Sequence, residues 1–300
     1  MAAEAGLTRS PRVVFGLAAY NRPDTLARAL ESLLDQTFGD FAIVIVDDAP
    51  SPAVEAIVRT YSAADSRIVY EPNPTRLGMI GNWRHAFQRS RDLFPGADYF
   101  AWVSDHDVWH PRWLEVLVPI LDDNPRTVLA YPQTVRVYPR ERRRMPPPFE
   151  TAGIPDRRER VRRTALAAAA GNCVYGLFRA RALEEAGVFR PVLMPDLEIL
   201  VRLALIGEFA YAPEMLWYRE VAGGFSLPRQ RRMLFAGRVP PYAYLPPNVQ
   251  HFGLLLWDLA VRRHGAGAVS RWTGLKLAVL QLRISTRREL SRMRPMPAAE

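Results

Sequence analysis

Apolar and polar positions fall into blocks along the first half of the chain. "RVVFGLAAY" (12–20) and "FAIVIV" (41–46) are almost continuous apolar runs rich in β-branched residues, as expected of strands covered on both faces. "RIVYEP" (67–72) and "DYFAWV" (98–103) are shorter runs of the same kind. Between them the period lengthens to that of a helix. Leu26, Leu30, Leu33 and Leu34 mark one helical face after "YNRPD". "LGMIGNWRHAFQRSRDLF" (77–94) follows the third run, and "PRWLEVLVPILDD" (111–123), with proline near its start, follows the fourth. This alternation predicts an α/β domain with a doubly wound, mostly parallel sheet flanked by helices. In the second half, Leu197, Leu200, Val201, Ala204 and Leu205 line one face of a further helix, which puts Asp196 at its N-terminus and Glu198 off that face. "PPYAYLPPNV" reads as a linker into two helical stretches, 249–263 and 268–292.

In doubly wound sheets, ligands collect at the carboxyl ends of the strands. Three polar clusters stand there: "AYNRP", "DDAPS" and "SDHDVWH". Each has a plain explanation alone, since Asn21 and Asp24 suit a helix cap, Asp47 and Asp48 suit a turn, and His110 simply precedes a proline. Their convergence on one sheet edge is what points to a site. A dinucleotide fingerprint is excluded, because no glycine follows the first strand, and "GAGAVS" (265–270) follows a helical segment and lacks the third glycine.

Composition narrows the class. A 300-residue chain that is 49% hydrophobic can bury a full core. The single cysteine, Cys173, excludes an internal disulfide framework, and "MAAEAGLTRS" lacks the apolar region of a secretory signal, so a cytoplasmic location is expected. "FGLLLWDLAV" and "WTGLKLAVLQLRI" fall short of the roughly 18 apolar residues a membrane span needs, so any membrane contact is expected to be peripheral, on the inner face. The net charge of +9 is regional: residues 136–163 hold 10 arginines against 4 acids, and residues 229–300 hold 13 basic residues against 3 acids. Of the 40 basic residues only Lys276 is lysine, so a G+C-rich coding sequence accounts for the bias as well as an anion-binding surface does.

The segments "VFGLAAYNRPDTLARALESLLDQTFGDFAIVIVDDAPS", "NPTRLGMIGNWRHAF" and "DYFAWVSDHDVWHPRWLE", in that order, resemble the nucleotide-sugar-binding half of family 2 glycosyltransferases, which have the GT-A fold. The resemblance covers roughly residues 12–225. It implies an N-terminal tail (1–11), a catalytic domain (12–240) divided into a donor half (12–131) and an acceptor half (132–240), and a C-terminal helical extension (241–300). It also implies transfer of one sugar from a nucleoside-diphosphate sugar, UDP ahead of GDP or dTDP, to a glycan, lipid-linked or small-molecule acceptor, generally with inversion.

Residue by residue, the resemblance assigns Ala18, Ala19, Tyr20 and Asn21 to the nucleotide pocket. It makes Asp48 the acceptor of a hydrogen bond from the base, a contact that suits a carboxylate facing the N–H edge of uracil or guanine. Arg76 and Asn82 match positions near the nucleotide and first sugar. "SDHDVWH" matches the family's metal-binding element, for Mn²⁺ or Mg²⁺. Many relatives carry two adjacent acids there, whereas His106 takes one of those positions here. Asp107 is then the main ligand, Asp105 a second ligand or a ribose or sugar contact, and His106 a ligand or hydrogen-bond partner. In the acceptor half the resemblance makes Asp196 the general base, ahead of Glu198, although an acid at a helix N-terminus is also a good cap. Arg219, with Arg229, Arg231 and Arg232 after a glycine pair, is expected to reach the diphosphate.

Two other function classes fit parts of this pattern. A scaffold or nucleic-acid-binding protein on the same fold would use the positive charge, yet the basic residues lie away from the predicted site edge and no nucleic-acid motif appears, so no nucleic acid is expected. A metallohydrolase would need more ligands than the five histidines readily supply. The last helix, with Trp272, Leu275, Val279 and Leu282 beside Lys276, Arg283, Arg287 and Arg288, suits either core packing or an anionic membrane surface.

Overall fold

The structure, a computed structural model, describes residues 10–145, 149–167, 170–221, 226–235, 238–262 and 269–293. The four strands expected in the first half form as β1 (Val13–Ala19), β2 (Phe41–Asp47), β3 (Ile68–Pro72) and β4 (Tyr99–Ser104). They alternate with helices α1 (Pro23–Leu34), α2 (Pro52–Ala64) and α3 (Gly78–Leu93), and they pair in parallel in the order β3-β2-β1-β4. β2 is buried along its whole length, as its unbroken apolar pattern requires.

The rest of the chain extends this sheet. β5 (Val108–Trp109) leads into α4 (Trp113–Asp123), and β6 (Thr127–Val137) turns back through β7 (Arg142–Arg144). α5 (Arg157–Leu166), β8 (Leu177–Arg179), α6 (Ala180–Ala186), α7 (Pro195–Ile206) and β9 (Glu208–Glu220) follow. β8 joins the halves by lying antiparallel to both β4 and β6, and β9 runs parallel to β6. β5 pairs antiparallel with the end of β9, Val108 opposite Tyr218 and Trp109 opposite Trp217, which brings the acid and histidine cluster beside residues 218–220. The helix expected around Leu197–Leu205 forms as α7, and a strand follows it directly. Gly207 adopts extended backbone and ends α7, and "EFAY" opens β9.

Alternating strand residues feed two cores. Val13, Phe15, Leu17, Ala101 and Val103 pack with α1 and α4 on one face, while Val14, Phe100, Trp102 and Phe178 pack with α3, α6 and α7 on the other. Gly16 is needed for the second, since a Cβ there would lie 2.5 Å from the Phe100 ring. α8 (Leu227–Leu234) and a 3-10 turn at Pro241–Tyr244, inside the stretch read as a linker, lead into α9 (Pro247–Leu256) and α10 (Arg271–Met293). Leu255, Leu259, Leu277 and Ala278 belong to the second core, and α10 packs on α9 and α5. The C-terminal helices are therefore built onto the second core and α5. Among the described residues no helix is long and apolar enough to cross a membrane.

Candidate functional site

The three polar clusters meet at one edge of the sheet. After β1 the chain turns through Asn21, whose φ of 52° is a left-handed conformation that asparagine tolerates. Neither Asn21 nor Asp24 caps α1; Arg22 holds the cap position without a side-chain bond. The turn leaves the Tyr20 ring 45% exposed, with the Arg76 guanidinium 4.8 Å from its centre, while the Tyr20 amide donates to Asp105 Oδ2 at 2.8 Å. Ala18 is half-buried beside this rim. The Ala19 carbonyl accepts from the Asp48 amide and from Asn82 Nδ2.

Asp48 and Asn82 form the floor rather than the rim. α3 has no capping side chain of its own, and Asp48 supplies one from β2: Oδ1 accepts from the Leu77 amide at 2.6 Å and Asn73 Nδ2 at 3.0 Å, and Oδ2 accepts from the Gly78 amide at 2.9 Å. Asn82 Oδ1 accepts from Asn73 Nδ2 at 2.8 Å, and its Nδ2 reaches the Ala19 carbonyl at 3.2 Å. Both side chains are buried and hydrogen-bonded internally, so they shape the pocket on which a base would rest. Asp47 accepts from Tyr70 Oη and the Ala49 amide, yet burial outweighs these bonds and raises its pKa.

The acid and histidine cluster divides into distinct parts. Asp105 has both oxygens engaged, Oδ2 by the Tyr20 amide and Oδ1 by His106 Nδ1 at 2.7 Å. Because a carboxylate only accepts, Nδ1 is the donor in this bond, and Nε2 is the ring nitrogen on the side of Asp107. Nε2 lies 3.9 Å from Asp107 Oδ1, which accepts from the Glu220 amide at 2.9 Å. Asp107 is 1% exposed, and burial raises its pKa against the opposing effects of His106, Ser104, the Glu220 amide and Arg219. Arg28 ties the cluster to β9 by donating to the His106 carbonyl and to Glu220. The side chains that could hold a cation here are Asp107 and His106, while Asp105 already accepts from the Tyr20 amide and the imidazole. Two protein donors suit Mn²⁺ or Mg²⁺ completed by substrate phosphates, and the imidazole favours Mn²⁺. Among the described residues no three His, Cys, Asp or Glu side chains gather at metal-binding distance.

Tyr175 organises the opposite wall. Its ring stacks on Trp217 with centres 4.6 Å apart and meets Trp83 edge-on, and burial raises its pKa while Arg219, Asp107, Asp196 and Asp105 all act on it. Arg219 lies 5.9 Å from the Tyr175 and Trp217 ring centres and donates to Asn172 Oδ1. Asp196 is half-buried at the start of α7 and takes the amides of its first turn, but desolvation outweighs these and raises its pKa. Asp196 is thus a carboxylate at a helix N-terminus whose burial raises its pKa.

The C-terminal helices fix its position. Gln250 Oε1 accepts from the Leu193 amide at 3.0 Å and His251 Nε2 donates to the Leu193 carbonyl at 2.7 Å, while Gln230 Oε1 holds the Met194 amide at 3.0 Å. Met194 is itself left-handed at φ 51° just before Pro195, a conformation that needs such support.

Glu198 does not share the site, which corrects its place as an alternative base. α7 is buried on nearly all sides, so leaving the Leu197 face does not reach solvent. Glu198 is 1% exposed and forked onto Arg202, 2.8 Å from Nε and 3.0 Å from Nη2. Breaking such a pair typically costs about 3–5 kcal/mol, which marks it as a packing element. Arg231 is also engaged elsewhere, donating to the Ala243 carbonyl at 2.9 Å with its guanidinium over Tyr244. Arg229 and Arg232 lie on α8, and the glycine pair before them lies outside the described residues. Tyr175, Asn172 and His251 escaped the sequence reading. "GNCVYG" carries no acid or charge pattern, and His251 sits in a helix that only the fold brings to Leu193.

Comparison with known proteins agrees with this geometry. The profile described as "Glycosyl transferase family 2" matches residues 15–187. Protein CgeD of Bacillus subtilis is 29% identical over 128 residues, 42% of this chain and 30% of that protein. An uncharacterized glycosyltransferase of Methanocaldococcus jannaschii is 30% identical over 116 residues, 38% of each. The matches thus span well under half of these relatives. S. aureus TarS 1-349, solved in complex with UDP-GlcNAc, superposes with a TM-score of 0.61 at 14% identity, covering 95% of this chain and 76% of that one. The mannosyltransferase PcManGT of Pyrobaculum calidifontis, solved with GDP-Man and Mn²⁺, gives 0.53 at 15% identity, covering 96% and 89%. These solved structures share the GT-A fold, and with the profile matched over more than half of its length the chain belongs to glycosyl transferase family 2.

Proposed function

We propose that the protein transfers one sugar from a nucleoside-diphosphate sugar, UDP ahead of GDP or dTDP, to an acceptor hydroxyl in a single inverting displacement. The observation that carries this reading is the convergence at one sheet edge of the Tyr20 and Arg76 rim with Asp105, which accepts the Tyr20 amide and holds His106, and Asp107, which accepts the Glu220 amide next to Arg219. Proteins of the same fold bind UDP-GlcNAc and GDP-Man. Tyr20, with Arg76 over its ring, would line one side of the base or ribose, above a floor of Ala18, Ala19, Asp48 and Asn82. Asp107 and His106 would hold Mn²⁺ or Mg²⁺, which supplies charge neutralisation to the departing diphosphate. Arg219 would meet the same phosphates with its planar fork, and Asp196 would take the proton from the acceptor hydroxyl. The stacked Tyr175, Trp217 and Trp83 would exclude water from the transfer point. Nucleotide release from a panel of UDP-, GDP- and dTDP-sugars with Mn²⁺ is expected to rise above background for a UDP-sugar. Calorimetry showing no binding of any nucleotide diphosphate, with or without Mn²⁺, would instead favour a non-catalytic scaffold.

The location we propose is the cytoplasm, with peripheral attachment through α10. Its outward residues Arg271, Trp272, Lys276, Val279, Arg283 and Arg287 recur at helical spacing without an acid, and Trp272 is 73% exposed. Leu277, Ala278, Gln281 and Ser285 face inward. Replacing Lys276 and Arg283 by Gln is expected to lower recovery with anionic vesicles in flotation by at least about fivefold, from the loss of basic charge near the surface. Equal recovery would assign α10 to core packing alone.

A further inference from the structure

Three arginines stand in one cross-strand row at the sheet edge beyond Tyr175. Arg219 on β9 is the register partner of Arg136 on β6, and Arg136 is the register partner of Arg143 on β7. Register partners project from the same face, so all three side chains emerge on the face where Arg219 meets Tyr175 and Trp217. Like charges directly opposite destabilise a sheet, so the row has a cost unless an anion answers it. The protein answers it only in part. Arg219 reaches the neutral Asn172, Arg143 has one surface pair with Glu141 at 2.9 Å, and Arg136 Nε is buried with no hydrogen-bond partner among the described residues. Arg142 and Arg144, exposed on the other face of β7, add to the positive field.

The direction of the row gives it meaning. The rim of Tyr20 and Arg76 borders the ends of β1 and β3, whereas the row starts at Arg219, next to the Glu220 amide that Asp107 accepts, and runs across β9, β6 and β7. Strands about 4.8 Å apart make it roughly 10 Å long. A donor seated between Tyr20 and Asp107 leaves that flank to the acceptor. We propose that Arg136 and Arg143, continuing from Arg219, form a subsite for an acceptor that bears phosphate or carboxylate groups near the hydroxyl to be glycosylated. This rests on the reading of Asp107 and Asp196 as the transfer point. Guanidinium forks match both oxyanions, and a row of three selects a ligand with extended negative charge over a neutral glycan.

The test is fluorescence anisotropy of the full chain, loaded with UDP and Mn²⁺, against a labelled neutral oligosaccharide, its 6-phosphate and its uronate form. The native protein is expected to bind at least one charged form at least about tenfold more tightly than the neutral parent. The two charged arms tell phosphate from carboxylate. Arg136→Gln/Arg143→Gln should reduce the preference to within about twofold, and Arg143→Gln alone, at an exposed position, should lower it without a change in thermal midpoint. UDP affinity should stay at the native value in both variants. No preference in the native protein, or a preference that survives in the double variant, overturns the subsite. Failure of the underlying reading looks different: the native protein would not bind UDP at all.

Discussion

Replacing Asp107 by Asn is expected to abolish the dependence of nucleotide binding on Mn²⁺ while leaving the fold intact. Asn keeps the oxygen that accepts the Glu220 amide, so the junction of β5 with β9 survives. What it removes is the negative charge. In the native protein that charge is 1% exposed, and desolvation raises its pKa despite His106 and Arg219 nearby, so a divalent cation is the partner that would make burial of the carboxylate favourable. Loss of outer partners of a metal ligand already weakens affinity by roughly 10–100-fold, so loss of the ligand should reach about 100-fold or more. Calorimetric titration of UDP at several Mn²⁺ concentrations measures this. An unchanged Mn²⁺ effect would remove Asp107 from the metal site. His106→Ala should give a smaller loss and shift the preference from Mn²⁺ toward Mg²⁺, because only the imidazole distinguishes the two.

The donor half was legible in the sequence because its signals are local. Unbroken apolar runs ending in polar clusters fix β1, β2 and β4, and the end of a parallel strand is where a ligand edge must lie. What sequence could not supply was the direction of each side chain. Asp48 and Asn82 stand at the expected positions yet turn inward, because α3 lacks a cap and Asp48 provides it. Glu198 was misjudged for a related reason. A single apolar face predicts an exposed opposite side, but α7 is enclosed by α5, α6 and the turn before β8, so an ion pair with Arg202 fills the polar side. The acceptor wall was the least legible part. Asn172 and Tyr175 share one short turn that meets Arg219 of β9 only in the fold, and His251 reaches Leu193 from α9, contacts between distant segments that leave no periodic trace.

The other large effect is expected at Asp196, where Asn should lower turnover by about 10²–10⁴-fold, the usual contribution of a general base, and leave UDP affinity at the native value. The two parameters separate because, in the proposed reading, Asp196 meets the acceptor hydroxyl rather than the nucleotide. Asn is nearly isosteric and keeps an oxygen for the first-turn amides of α7, so loss of turnover would not reflect a frayed helix. The pH profile supplies a second readout. A base acts only when deprotonated, and burial raises the pKa of Asp196 above the ordinary carboxylate range, so native turnover should fall as pH drops through that raised value, earlier than an exposed aspartate would require. The residual turnover of Asp196→Asn should lose this acid limb. Were UDP affinity to fall with turnover, Asp196 would belong to the donor pocket; were turnover unchanged, it would serve α7 alone. Because Gln250 and His251 hold both backbone groups of Leu193, this experiment also bears on α9: a base at Asp196 gives the C-terminal helices a catalytic reason to be packed where they are.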